Sequence, residues 1–513
     1  MNTHFLPRTL PRHWPLVLAG LCALLIVLVV AAPFDEANDQ RQHLRVGVQL
    51  EPPNLDPTSG AAGAIDQIVY ANIFEGLTRM AEDGTVVPGL AERWTVSDDG
   101  LRWRFFLRRN VRFHDGTHFD ADDVVFTLER ARGPGSSNAQ QLQLRRIKQV
   151  IKIDSFTAEL RLDAPFPVLA TVLAWGDSVI VAPESADQNA VSPVGTGAFR
   201  FDHWQRSSAI HLVNNPEYWG ERAKLDGVTF RIIPDPAVAY AALIAGDIDV
   251  FPGYPAPENF AQLVNNARFG TAAGLTQGET ILALNHRNPA LSDLAVRRAL
   301  TMAIDRGELI EGAMFGLGAQ IGSHYPPTGP DYVDLTQHYA YDREQAKSML
   351  EGAGFGPDTP LRLRLLLPPP TYARRSGEIV AAQLRALNID VRVENIEWAQ
   401  WINRVFIRHD FDLTIVAHTE PDDLDIYARP GYYFGYESPT YQALAERLHA
   451  EADIGVRSEI VKQMQRQLAD NAVNVFLFQL PQLSVFDQSI KGLWKEAPLQ
   501  AIDVTSVYKD VHR

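Results

Sequence analysis

At 513 residues the chain exceeds what one hydrophobic core usually supports, so two or more lobes are expected; 46% hydrophobic and 21% charged residues are the proportions of a soluble globular protein. A net charge of -15 and a pI near 5.4 argue against a general nucleic-acid role, which needs a basic surface to neutralise phosphates. The only cysteine, Cys22, lies near the N-terminus, so the body beyond residue 40 has neither disulfides nor thiol chemistry.

The N-terminus carries Arg8 and Arg12, an unbroken apolar stretch over 16–32, and then the polar "FDEANDQRQ". A positive end, an apolar run and an abrupt polar boundary describe an export segment. At ~1.5 Å per residue the run spans roughly 26 Å, just short of the ~30 Å hydrocarbon core. It reads as a cleaved signal or an uncleaved anchor touching the membrane. Ala31 and Ala32 suit cleavage, although Pro33 argues against a cut directly after Ala32. Cys22 follows Leu21, where a lipoprotein signal wants Gly or Ala. The expected location is the periplasm of a bacterium.

"HLRVGVQLEPPNLDP" alternates at Leu44, Val46 and Val48 and predicts a strand running into a Pro-rich bend. "WTVSDDGLRWRFFLRRNVRFHDGTHF" alternates again between "DDG" and "HDG" turn signals, predicting a hairpin or meander. "DADDVVFTLERA" places acids before an apolar helical stripe, as a helix N-terminus prefers. Around 281–284 another strand leads to a helix with Ala295, Ala299 and Ala303 in step and Ser292 as N-cap. "LRLRLLL" (361–367), "IDVRVENI" and "FDLTIVAHTE" predict three strands separated by helices over "SGEIVAAQLRALN" and from about Trp398. That alternation is the signature of a largely parallel, doubly wound sheet.

Ligands of open α/β sheets bind beyond the carboxyl ends of the strands. Arg374 and Arg375 follow the first of these strands, and His418 and Glu420 end the third. Two arginines just before a helix N-terminus suit an anion, which both dipole and guanidinium attract; the plain alternative is a salt-bridged surface pair. The stretch "AHTEPDDLDIYARPGYYFGYESP" (417–439) packs His418, Glu420, Asp422, Asp423 and Asp425 beside tyrosines. A hard-cation loop normally has a Gly at its sharp turn, whereas "HTEPDDLDIY" has Pro and no Gly, so an acidic loop or helix start is expected and no metal or cofactor. No nucleophile elbow, phosphate loop or zinc-protease helix occurs. "GAGFG" (352–356) ends a helix, "FHDG" (113–116) is a turn, and "GDIDVFPG" (246–253) is a helix-to-strand junction.

The phrases "PGLAERWTVSDDGLRWRFFLRRNVRFHDGTHFDADDVVFTLER", "PVGTGAFRFDHW", "NPEYWG", "VTFRIIPDPAVAYAALIAGDIDV" and "LSDLAVRRALTMAIDR" together resemble the periplasmic solute-binding proteins of peptide and nickel ABC importers, the dipeptide and oligopeptide receptor family (solute-binding family 5). The resemblance runs from about residue 45 to about 492. It implies an α/β, two-lobe periplasmic-binding-protein fold with mixed, largely parallel sheets and an extra α+β subdomain (about 75–190) on the first lobe. After the 1–40 segment, lobe I would comprise 44–283 plus 484–513 and lobe II 284–483, with crossings at "LALNHR" and "LPQLSVF". In such a fold a solute shifts the open–closed equilibrium by binding the closed form better.

By resemblance, "ARRSGEIVAAQL" places Arg374 or Arg375 against a ligand carboxylate, "NIEWAQWI" places Trp398 at side-chain pockets, and "EPPNLDP" places Glu51 to Pro53 at the peptide backbone. The third strand departs from the family pattern. Ala417 and His418 stand where Gly-Trp is usual, and there is no room for the Asp that captures a peptide α-amine. Glu420 or Asp422 substitutes for it, or the solute lacks a free α-amine. The implied function is the substrate-binding component of an ABC importer that delivers peptides or peptide-like solutes to permease subunits in the inner membrane. Alternatives are a receptor for a metal chelate, opine or sugar derivative, or an anchored sensory binding module. An enzyme is not expected, because no nucleophile–base pair appears.

Overall fold

The computed structural model describes residues 42–510 apart from 61, 420–422, 452, 496 and 497, with the backbone alone at 275. The apolar stretch 16–32 therefore lies outside the described residues, as do Glu420 and Asp422. Among the described residues no helix is long and apolar enough to cross a membrane.

Strand β1 (His43–Val48) buries Leu44, Val46 and Val48 through its alternation and leads to helix α1 (Gly63–Val69). Strands β2 (Ala91–Val96) and β3 (Arg102–Leu107) pair as the expected hairpin, turning where Gly100 adopts φ 69°. Helix α2 (Ala121–Arg132) starts at a capping box between Asp120 and Asp123. With β4 (Ile147–Asp154) and β5 (Thr157–Leu162) these strands form a four-stranded sheet, ordered β2-β3-β5-β4. Its own core includes Trp103, Phe105, Leu128 and Leu160, which makes it a distinct α+β unit.

The chain then returns through β6 (Phe199–Gln205), β7 (Ala209–Asn214), β8 (Gly227–Ile232), α3 (Pro236–Ala245), β9 (Val250–Pro252) and α4 (Pro257–Val264). Gly246 closes α3 in the left-handed region at φ 77°. The carboxylate Asp249 in the "GDIDVFPG" junction is taken up by Arg45 at 2.6 Å and Lys509 at 2.9 Å.

The long strand β10 (Phe269–Leu284) carries the chain into the second lobe, through α5 (Leu294–Ala303), α6 (Arg306–Met314) and α7 (Arg343–Gly352). The cap of α5 is Asp293, which accepts from Ala295 N, while the Ser292 hydroxyl donates to Pro289 O. A shorter helix (Pro289–Ser292) precedes α5 and takes up Ser292, so the cap falls one residue later than expected. Then follow β11 (Arg362–Leu367), α8 (Thr371–Arg385), β12 (Asp390–Asn395), α9 (Trp398–Trp401), β13 (Leu413–His418), α10 (Pro439–Ala450), α11 (Ile454–Asp470) and β14 (Val475–Asp487).

One 11-stranded sheet threads both lobes, with the path β12-β11-β13-β10-β14-β9-β1-β8-β7-β6 and the short Ala319–Gln320 strand beside β14. The pairs β12–β11, β11–β13, β9–β1 and β1–β8 are parallel, whereas the centre, β13–β10–β14–β9, is antiparallel. The sheet is thus more evenly mixed than "largely parallel" suggests, because the two crossing strands β10 and β14 run through it. Phe269, Leu483 and Val485 pack in a first-lobe core, while Leu282, Leu284, Val475 and Phe478 pack in a second-lobe core. The change of core coincides with an interruption in β10–β14 pairing between Leu275 and Glu279.

Candidate functional site

The carboxyl ends of β1, β11, β12 and β13 meet at a cavity of about 610 Å³ between the lobes. Lobe I contributes Gln49, Glu51 and Pro53 just past β1, Gln67 from α1, the 136–143 segment, and the 252–255 turn past β9. Lobe II contributes Thr371 and Tyr372 at the start of α8, an aromatic group after β12, and the end of β13 with the stretch beyond it.

The aromatic group has a local cause. Helix α9 runs into a wide π-helical turn over Ile402–Ile407, which rotates Ile402 and Phe406 toward the same wall as Trp398 and Trp401. The two indoles stack at 5.1 Å and 6°, and Trp401 Nε1 donates to Thr414 Oγ1 at 2.9 Å. Trp401 is buried while Trp398 is half-buried, so Trp398 presents the accessible face. Phe406 contacts Tyr432 at 5.7 Å and Tyr433 at 5.8 Å, completing a continuous aromatic surface.

Polar groups on the opposite walls are mostly neutral: Gln49, Gln67, Asn138, Gln140, Gln143 and Gln500. Several already bridge the lobes. Gln49 Nε2 donates to Thr371 Oγ1 at 3.1 Å, Gln143 Nε2 to Asp425 Oδ2 at 3.2 Å, and Gln500 Nε2 to Thr419 Oγ1 at 2.5 Å. Beyond the cavity Arg146 donates to His449 O at 2.6 Å. The lobes are in direct contact, a closed arrangement.

The charged groups on the wall are acidic or paired. Glu51 accepts from Ser207 N at 2.8 Å. Asp425 binds Arg429 at 3.0 Å, and burial pushes its carboxyl above the ordinary value although Arg429 opposes this. Asp423 opens a short 3-10 helix, Asp423–Ala428, right behind β13. Among the described residues Arg429 is the only arginine or lysine lining the cavity.

Of the residues singled out from sequence, Glu51, Pro53, Trp398 and His418 line one cavity. Arg374 and Arg375 do not. Helix α8 begins at Thr371, directly after the prolines, so both arginines sit on the helix rather than in a loop before it. There each faces a protein carboxylate. Arg374 reaches Glu397 at 3.4 Å, and Arg375 makes a two-pronged pair with Glu258 of α4, both contacts 2.7 Å. The salt-bridged alternative describes their placement. Glu420 and Asp422 lie outside the described residues. The bridging glutamines carried no sequence signal, since Gln is a common surface residue. Tyr432, Tyr433 and Asp423 stood in the 417–439 stretch but were not separable there from their neighbours.

The family model for "Bacterial extracellular solute-binding proteins, family 5 Middle" matches residues 85–437. The chain belongs to the family 5 bacterial extracellular solute-binding proteins. Over 353 residues it is 31% identical to the dipeptide-binding protein of Escherichia coli K12, a match covering 62% of this chain and 65% of that one. The chain thus matches just under two thirds of that relative's length. Among solved structures, the periplasmic binding protein AgaA from A. tumefaciens R10 in complex with agropinic acid superposes with a TM-score of 0.83 at 24% identity, over 92% of this chain and 99% of that one. The periplasmic binding protein DppA from Helicobacter pylori in complex with the peptide STSA gives 0.83 at 23%, over 91% and 98%. These likenesses establish the two-lobe family 5 fold. Family 5 is a family of binding proteins, and its members are extracytoplasmic.

Proposed function

We propose that this protein is the substrate-binding component of an ABC importer, capturing a peptide or peptide-like solute between its lobes and presenting it to permease subunits in the inner membrane. The observation that carries this reading is a cavity of about 610 Å³ built from both lobes at convergent strand ends and bridged by direct hydrogen bonds. The size is that of a small-molecule or short-peptide site. No chemical step is assigned to it; the energy of binding goes into lobe closure. Export through the 1–40 segment to the periplasm fits this role, either as a free receptor or as one anchored by residues 16–32.

In this reading Trp398 provides a stacking face, Glu51 and Pro53 meet the solute from lobe I, and His418 meets it from lobe II. Glu420 and Asp422, which lie outside the described residues, take the solute's polar end. Arg374 and Arg375 act between lobes and elements rather than on the solute. Calorimetric titration with di- to pentapeptide pools tests the proposal. Saturable binding, weakened by Trp398→Ala by about 1–2 kcal/mol, is expected; silence across all pools sinks the peptide reading.

A second reading, a sugar derivative, is favoured by one observation: glutamines and aromatic faces dominate the wall, while both expected arginines are engaged elsewhere. Titration with neutral polyhydroxylated solutes distinguishes it.

A further inference from the structure

Three ligating side chains converge at the back of the cavity wall. His324 arrives on the segment between α6 and α7, His418 ends β13, and Asp423 follows it. All are buried, and their ligating atoms lie within 4.8 Å of one another. His324 Nε2 is 2.8 Å from Asp423 Oδ1, and His418 Nδ1 is 3.5 Å from Asp423 Oδ2. At that separation Oδ2 accepts no hydrogen bond, although it is buried. His418 and Asp423 both face the cavity.

The outer nitrogens are held as well. His324 Nδ1 is 3.1 Å from the Tyr427 hydroxyl, which also accepts from Asn474 at 3.2 Å, and His418 Nε2 is 3.1 Å from the Tyr433 hydroxyl. A ring nitrogen fixed by a buried oxygen orients the opposite nitrogen toward a shared point, the arrangement that supports metal-bound imidazole. Among the described residues no lysine or arginine pairs with Asp423. A buried carboxylate oxygen that accepts no hydrogen bond has its desolvation uncompensated, which a cation at the shared point offsets.

We propose that His324 Nε2, His418 Nδ1 and a carboxylate oxygen of Asp423 bind one divalent transition-metal ion of the Zn(II) or Ni(II) type, with a fourth position open to the cavity. Bonds of about 2.0–2.1 Å in a tetrahedral site set neighbouring ligand atoms roughly 3.3 Å apart, so small side-chain rotations close the cluster onto an ion. Imidazole and one carboxylate suit such ions rather than calcium or magnesium. The site joins one residue of the 320s to two of the 417–439 stretch. It goes beyond the receptor reading, since the ion binds the protein whatever solute the cavity takes.

The test is calorimetric titration of chelator-stripped full-length protein with Zn(II) and, separately, Ni(II), without solute, together with the visible spectrum after Co(II) addition. One equivalent bound with Kd below about 10 μM, and the ligand-field bands of nitrogen-ligated cobalt, are expected. Asp423→Asn and His324→Ala weaken binding at least about 100-fold, Tyr433→Phe about tenfold, and His338→Ala, outside the cluster, leaves it unchanged. Absence of saturable binding by the wild type overturns the site, as does binding that survives both cluster substitutions in variants that keep the native melting curve. If those variants do not fold, the wild-type titration and cobalt spectrum decide alone. Peptide titrations on stripped protein fail or succeed independently, which separates this proposal from the receptor reading.

Discussion

His114 sits between backbone groups that suit only its neutral form. Its Nδ1 accepts from Gly195 N at 3.3 Å while Nε2 donates to Gly197 O at 3.0 Å. Burial pushes its pKa down from 6.5 to about 4, although the bond to Gly197 works the other way. Above pH 6.5 the imidazole is neutral in both folded and unfolded chains, and its contribution is complete. As pH falls from 6.5 toward 4, only the unfolded chain takes the proton, so stability drops by about 2–3 kcal/mol and then levels. Denaturant melts of wild type and His114→Gln between pH 7 and pH 4 check this: the wild type should show the steeper loss. At this scale sequence reading was partial. Trp398, half-buried on the cavity wall, was named only through the family resemblance of "NIEWAQWI", whereas Arg374 and Arg375 looked like anion ligands because Glu258 and Glu397 are remote in sequence.

At the scale of elements, the approach to β6 shows why a glycine-rich phrase stands there. An added Cβ on Gly195 would lie 2.0 Å from Ile73 O, and one on Gly197 2.4 Å from Asn72 O. Those close approaches allow Gly197 N and Phe199 N to donate to Ile73 O and Asn72 O, both at 2.9 Å. Gly195→Ala must therefore move backbone and should destabilise lobe I by about 3 kcal/mol; a lowered urea midpoint at unchanged slope is the expected reading. Most elements were legible from period and turn chemistry. β11, β12 and β13 fall within a residue or two of the alternating runs that predicted them. The start of α8 was not, because "PPPTYARR" reads as a loop although Thr371 can follow Pro370 straight into a helix.

For the whole molecule, the ion pair between Arg375 of α8 and Glu258 of α4 joins the two lobes. Both side chains are about 30% exposed, so solvent screening limits the pair to about 0.5–1 kcal/mol. That is enough to bias lobe closure. Arg375→Ala should weaken solute binding about two- to fivefold, raise the solution radius of gyration of the solute-free protein, and leave its melting temperature nearly unchanged. An unaltered radius together with unaltered affinity counts against the clasp.

Composition, hydrophobic period and turn residues alone determined the multi-lobe α/β class, the chain order of the second-lobe strands and the first-lobe hairpin. These follow from interactions between near neighbours in the chain. Tertiary structure decided which side chains share the cavity, where the arginines find their partners, and that His324 meets His418 and Asp423. The Arg375–Glu258 pair and the shared cavity depend on two lobes being brought together by β10 and β14, while the His324–His418–Asp423 cluster depends on packing within the second lobe; contacts between residues so remote in the chain leave no periodic trace in the sequence.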